Sequence, residues 1–187
     1  MCLGKLDVRD GFLVLLAALW CADETGVLPL FLLAAAVHEL GHLLILYLSG
    51  GRLYRLTLTC CGAVMRCALP EGRYARAAVC LAGPAASFAL AALAGRCGWY
   101  RLAGASILLG AFNLLPMPPL DGGMALGHLA GGGFFRARGL LALLTALCLH
   151  GAGAFLFFHG GGCWLWLIGA LIAAKTAKNL AKPAARV

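Results

Sequence analysis

The feature that most limits what this chain can become is its alternation of long apolar runs with short segments holding almost all of its basic residues. Apolar runs occupy residues 11–22, 27–48, 74–94, 102–115, 139–158 and 162–174. With 63% hydrophobic and only 12% charged residues, and a mean hydropathy of +0.92, the composition is far from that of a soluble domain. The reading is an all-α integral membrane protein of about six transmembrane helices, forming a single membrane domain over 1–187 with its core at 27–130. A net charge of +8 would suggest nucleic acid only if the basic residues formed a patch interleaved with aromatics. They lie between the apolar runs instead and read as topology determinants.

Counting them orients the chain. With a cytoplasmic amino terminus and six spans, Lys5, Arg9, Arg52, Arg55, Arg66, Arg73, Arg76, Arg136, Arg138, Lys175, Lys178, Lys182 and Arg186 all fall inside, and only Arg96 and Arg101 fall outside. Both termini are therefore expected in the cytoplasm. The run at 11–22 is short enough to be a signal-peptide segment, but no small-x-small cleavage site follows it. Omitting it would put Lys5 and Arg9 on the wrong side. It is read as a retained first helix, extended by flanking residues at both ends.

The run at 27–48 sets His38, Glu39 and His42 inside apolar sequence, with Gly50 and Gly51 as its stop. A carboxylate at membrane depth costs about 2.5–3.5 kcal/mol on insertion scales, so such a residue is a functional hypothesis by default. Four residues apart on a helix, the two histidines share a face, separated by about 6 Å of rise and roughly 40° of rotation. That spacing suits two imidazoles gripping one zinc ion, with Glu39 beside them as the general base for a water.

A catalytic zinc site needs a third protein ligand. Downstream of the motif the only carboxylates are Glu71, among Arg66, Arg73 and Arg76, and Asp121. Asp121 follows Asn113, Pro116, Pro118 and Pro119 and precedes Gly122 and Gly123, a stretch that forbids a continuous helix. Broken backbone at membrane depth is tolerated only where it is buried in protein or lines a wet cavity. Asp121 is the favoured ligand. His128 is its main rival; His150 is mid-helix and His159 is expected on the opposite side.

The remaining segments read as scaffold. Residues 52–70 mix leucines, threonines and arginines in rough alternation, which suggests a small surface β-hairpin too short to contain a PDZ module. The 74–94 run contains Ala82-Gly83-Pro84-Ala85-Ala86-Ser87, a small-residue face for partner helices. Nine cysteines include no Cys-x-x-Cys pair; Cys60, Cys61 and Cys67 are expected to stay reduced, most of the nine read as small apolar fillers, and a pairing of Cys21 with Cys97 near the outer face is left open. Phe155, Phe157, Phe158, Trp164 and Trp166 read as lipid-facing and interfacial packing.

His38-Glu39-Leu40-Gly41-His42, with Asn113-Leu114-Leu115-Pro116 and Pro119-Leu120-Asp121-Gly122-Gly123, resembles the site-2 protease family of intramembrane zinc metalloproteases, peptidase family M50. The resemblance covers about residues 27–130, and the small layout is most similar to the branch of stage IV sporulation protein FB. It implies that His38, His42 and Asp121 hold Zn2+ and that Glu39 activates water. It also implies that Asn113 lines the site and that Pro116, Pro119 and Gly122 belong to a substrate groove. The implied activity is hydrolysis of peptide bonds in or near transmembrane segments of membrane-tethered proteins, such as pro-sigma or anti-sigma factors, in a bacterial plasma membrane with the site toward the cytoplasm. Substrate, lipid bilayer and a regulatory membrane protein are the implied partners, and nucleic acid is not. The alternative is an inactive, zinc-binding relative that binds partners or handles metal. Two positions depart from the family pattern: Ser87 stands where asparagine is common, and Met124 where arginine is. No nucleotide-sensing CBS domain is expected, and so no ATP regulation in cis.

Overall fold

The computed structural model describes residues 2–3, 6–59, 62–117, 119–130, 147–148 and 151. The chain falls into two compact units, Met1–Leu114 and Leu115–Val187. In the first, strands β1 (Cys2–Leu3) and β2 (Leu6–Val8) lead into helix α1 (Asp10–Ala22) and helix α2 (Leu28–Leu48). Strands β3 (Arg52–Thr59) and β4 (Gly62–Ala68) follow, then helices α3 (Arg73–Arg96) and α4 (Tyr100–Asn113).

The expected surface hairpin is present and is part of a larger sheet. The strand order is β1-β2-β3-β4, with β2 parallel to β3 and the other pairs antiparallel. Leu6, Asp7 and Val8 sit opposite Leu56, Thr57 and Leu58, and the Arg9 amide donates to the Leu58 carbonyl at 3.1 Å. This pairing claims the residues expected to extend the first helix, so α1 keeps only the apolar run itself and starts at Asp10. A three-residue alternation is too short to be read as a strand without its partner. Leu53, Leu56, Met65 and Cys67 pack with Leu46 of α2 and Val79 of α3, while the opposite face carries Arg55 directly across from Arg66.

Between α1 and α2 the Asp23 carboxylate accepts the backbone N–H groups of Leu28 at 2.7 Å, Val27 at 3.1 Å and Thr25 at 3.2 Å. These are orphan donors at the start of α2, and the carboxylate also opposes the positive end of that helix. The hydrogen bond from Leu28, followed by those from Thr25 and Val27, holds the Asp23 carboxyl below its ordinary value. At the other end Gly50 adopts φ 81°, a conformation open to glycine at no cost, and the Gly51 amide closes back on Leu46 O at 2.8 Å.

Helices α2, α3 and α4 approach closely because small residues line their contacts. A Cβ on Gly41 of α2 would lie 2.6 Å from both the Ala82 carbonyl oxygen and the Ala86 Cβ of α3. Ala34, Ala94, Leu102, Ala103 and Ala105 form the apolar core of the three-helix layer. With 21 and 24 residues, α2 and α3 are long and apolar enough to cross a membrane. They are the two such helices among the described residues, since α1 and α4 have 13 and 14 residues. The runs expected at 139–158 and 162–174 lie almost wholly outside the described residues, as do the basic tail and the aromatic cluster. Cys21 and Cys97 are exposed free thiols.

In the second unit, residues 115–117 and 119–120 lie in turns and bends, with Met117 N donating to Leu115 O at 2.7 Å and Leu120 N to Met117 O at 2.9 Å. Helix α5 (Asp121–Ala130) then begins at Asp121, whose charge suits a first helical turn. The expected break in the chain is therefore present, and a new helix starts at the predicted ligand.

Candidate metal centre

Helix α2 turns one face toward α3, and that face carries the two histidines. His38 is 3% exposed and His42 8%. Two buried imidazoles need defined partners, because each has one ring nitrogen that donates when neutral and one that accepts. His42 Nδ1 lies 2.7 Å from the Val79 carbonyl oxygen on α3. A carbonyl only accepts, so Nδ1 carries the proton and Nε2 carries the lone pair. His38 Nδ1 lies 2.9 Å from the hydroxyl of Ser87, a fully buried residue two turns further along α3.

The two Nε2 atoms face each other at 3.2 Å, with ring centroids 4.9 Å apart and planes at 76°. Two lone pairs at that distance repel unless a proton or a cation stands between them. Zinc–nitrogen bonds of about 2.0–2.1 Å to both atoms would subtend roughly 100–106°, near the tetrahedral angle. Gly83 of α3 backs the same point. A Cβ there would run into His42 Nε2 and come within 2.7 Å of His38 Nε2, so the space is available only because residue 83 has no side chain. The imidazole pair thus fits a metal ion by both its donor chemistry and its geometry.

Glu39 follows His38 on α2 and is half-buried. Asn113 is the last residue of α4, where its Nδ2 donates to Leu109 O at 3.1 Å, committing one amide hydrogen to its own helix. In the second unit, Asp121 is half-buried at the first position of α5, Gly122 is buried beside it, Pro116 is half-buried and Pro119 exposed. His128 lies seven residues after Asp121 on α5, so the two rival ligands share a face but stand about 10 Å apart along the axis. His150 and His159 lie outside the described residues.

Three participants were not assigned roles in advance. The Val79 carbonyl carries no sequence signal. Ser87 was visible only as a departure from a family pattern and Gly83 only as a small residue. The hint available was positional: a lone hydroxyl in an apolar helix, four residues after a glycine, shares its face.

No protein-family model matches the chain. It is similar to Rip3 of Mycobacterium tuberculosis, a protein with the provisional description of zinc metalloprotease, found in two strains. The identity is 32% over 189 residues, which is 86% of this chain and 47% of the relative. The chain therefore spans about half the length of the relatives it matches. Its fold is that of the site-2 protease from Methanocaldococcus jannaschii, with a TM-score of 0.65 at 18% identity, covering 100% of this chain and 96% of that one. The first is a likeness in sequence to part of a longer relative and the second a likeness in fold. They do not single out the sporulation branch.

Proposed function

We propose that this chain is a zinc metalloprotease of the site-2 type that cleaves peptide bonds in or near the transmembrane segments of membrane-tethered proteins. The observation that supports this most is the convergence of His38 Nε2 and His42 Nε2 on one point against Gly83, with Glu39 next in the chain. A structural histidine pair would need neither a glycine cleared behind it nor a carboxylate beside it.

In this reading His38, His42 and Asp121 hold the zinc ion. Once bound, zinc supplies a Lewis acid for the scissile carbonyl and brings the pKa of water toward about 7. Glu39 takes the proton from the attacking water and passes it to the leaving amine, so one carboxylate acts first as base and then as acid. Asn113 retains one amide hydrogen with which to steady the substrate carbonyl. Pro116, Pro119 and Gly122 border the groove for an unwound substrate segment. Regulated release or degradation of membrane-tethered factors, with the site and both termini toward the cytoplasm of a bacterial cell, completes the reading.

Elemental mass spectrometry of the detergent-purified chain tests it, combined with cleavage of a membrane-tethered reporter. Wild type and Glu39→Gln are expected to hold about one zinc per chain, with cleavage abolished in the variant and zinc lost in Asp121→Ala. Zinc retained in Asp121→Ala would move the third ligand to His128. Zinc binding without cleavage in the wild type would favour a metal-handling or partner-binding module.

A further inference from the structure

We propose that Arg55 and Arg66, on the outward face of the sheet, form a docking site for the phosphate of an anionic phospholipid at the membrane surface. The site rests on the membrane setting of the proposed function and not on its zinc chemistry, so a chain that binds no metal leaves it standing.

The sheet sits at headgroup depth in that setting. Helix α2 has 21 residues, about 31 Å of rise, which matches the roughly 30 Å hydrocarbon thickness of a bilayer. The inner face of the sheet packs on Leu46 in the last turn of α2 and on Val79 in the second turn of α3. The strands therefore lie where the ends of these helices reach the headgroups. Tyr47, Tyr54 and Tyr74 are exposed at the same end. Tyrosine is enriched at that level because its ring is apolar and its hydroxyl polar.

The outward face carries positive charge that the sheet itself does not balance. Arg55 and Arg66 are direct cross-strand neighbours, an arrangement that costs stability between like charges. Asp7 approaches Arg55 only to 4.0 Å, and the Arg66 side chain makes no ion pair or hydrogen bond among the described residues. Other arginines of this end are engaged: Arg76 Nε donates to Pro70 O at 3.0 Å, and the Arg73 guanidinium lies 4.9 Å from the centre of the Tyr74 ring. Residues 52–76 hold five arginines against one carboxylate, Glu71. A phosphodiester carries a single negative charge and oxygens that two guanidinium groups can bind at once through charge-assisted hydrogen bonds. Such a group turns a repelling pair into a bridged one, and its acyl chains continue into the bilayer. An acidic peptide would match the charge but neither the depth nor the tyrosines.

Native mass spectrometry of the detergent-purified full chain tests the site, by titration with phosphatidylglycerol or with phosphatidylcholine of the same acyl length. Hydrogen exchange of the β3 and β4 amides is read on the same samples. Wild type is expected to hold phosphatidylglycerol about 30-fold more tightly than phosphatidylcholine, the gain of two basic residues at an anionic surface, and to exchange more slowly in both strands when it does. Arg55→Gln/Arg66→Gln is expected to lose the preference and Arg96→Gln/Arg101→Gln to keep it. Arg66→Glu separates binding from folding, since it is expected to slow exchange in lipid-free detergent while abolishing the preference. Equal affinity for the two lipids, a preference that survives Arg55→Gln/Arg66→Gln, or one lost equally in Arg96→Gln/Arg101→Gln overturns the site. Protection of the strands by inorganic phosphate alone, or by an acidic peptide in place of lipid, overturns the lipid as its occupant. A chain recovered from cells without detergent would remove the membrane setting and the site with it.

Discussion

Gly83 of α3 and His42 of α2 are in such close register that any side chain at residue 83 would occupy the position of the His42 Nε2 atom. The glycine therefore acts on the site through what it lacks. Gly83→Ala is expected to displace both imidazoles and to abolish zinc binding, with overpacking costing about 1–3 kcal/mol of stability. Zinc content and thermal unfolding of the same sample check it; a variant that keeps its zinc would show that the imidazoles can retreat.

Gly41 sits one residue before His42 but contacts the α3 backbone at Ala82 instead of the metal position. Because the obstacle is backbone, α2 and α3 must separate to admit a larger residue. Gly41→Val is expected to destabilise the helix layer by about 1–3 kcal/mol or more and to lengthen the His42–Val79 hydrogen bond. Thermal unfolding with excess zinc, which supports the site by mass action, is expected to recover only part of the loss.

Asp23 gives the fold an acid limb. Its carboxyl is held below its ordinary value of 3.8, chiefly by the Leu28 amide, so its ionised form favours the folded state. That contribution is fully present above about pH 4 and is lost as the pH falls through the lower folded value. Asp23→Ala is expected to lower the melting temperature at pH 7, with the gap to wild type closing below pH 3.8. A gap that stays constant with pH would assign the effect to packing.

Arg55 and Arg66 stand directly opposite each other across β3 and β4, and the nearest carboxylate contact of Arg55 is Asp7 at 4.0 Å. Like charges in this relation destabilise a sheet. Arg66→Glu converts the pair to opposite charges and is expected to stabilise the hairpin by about 0.2–1 kcal/mol, less at high salt because the site is open to solvent. Hydrogen exchange of the β3 and β4 amides measures it, and slower exchange in the variant is the expected result.

What the sequence determined by itself is the chemistry and the helices that carry it. The pattern His38-Glu39-x-x-His42 in an apolar run, the stop at Gly50 and the break before Asp121 are local features. They follow from helical periodicity and from the intolerance of helices for proline, and neither depends on distant residues. The tertiary structure decided what those local features could not. β2 joins the sheet only because β3, some fifty residues later in the chain, offers its edge. The tautomer of His42 is set by a carbonyl 37 residues away, and the partner of His38 is a hydroxyl 49 residues away. A backbone carbonyl has no letter in a sequence, and the empty space at Gly83 has meaning only once α3 lies against α2. Periodicity announces the candidate metal-binding groups, whereas long-range packing decides which backbone and side-chain partners they meet.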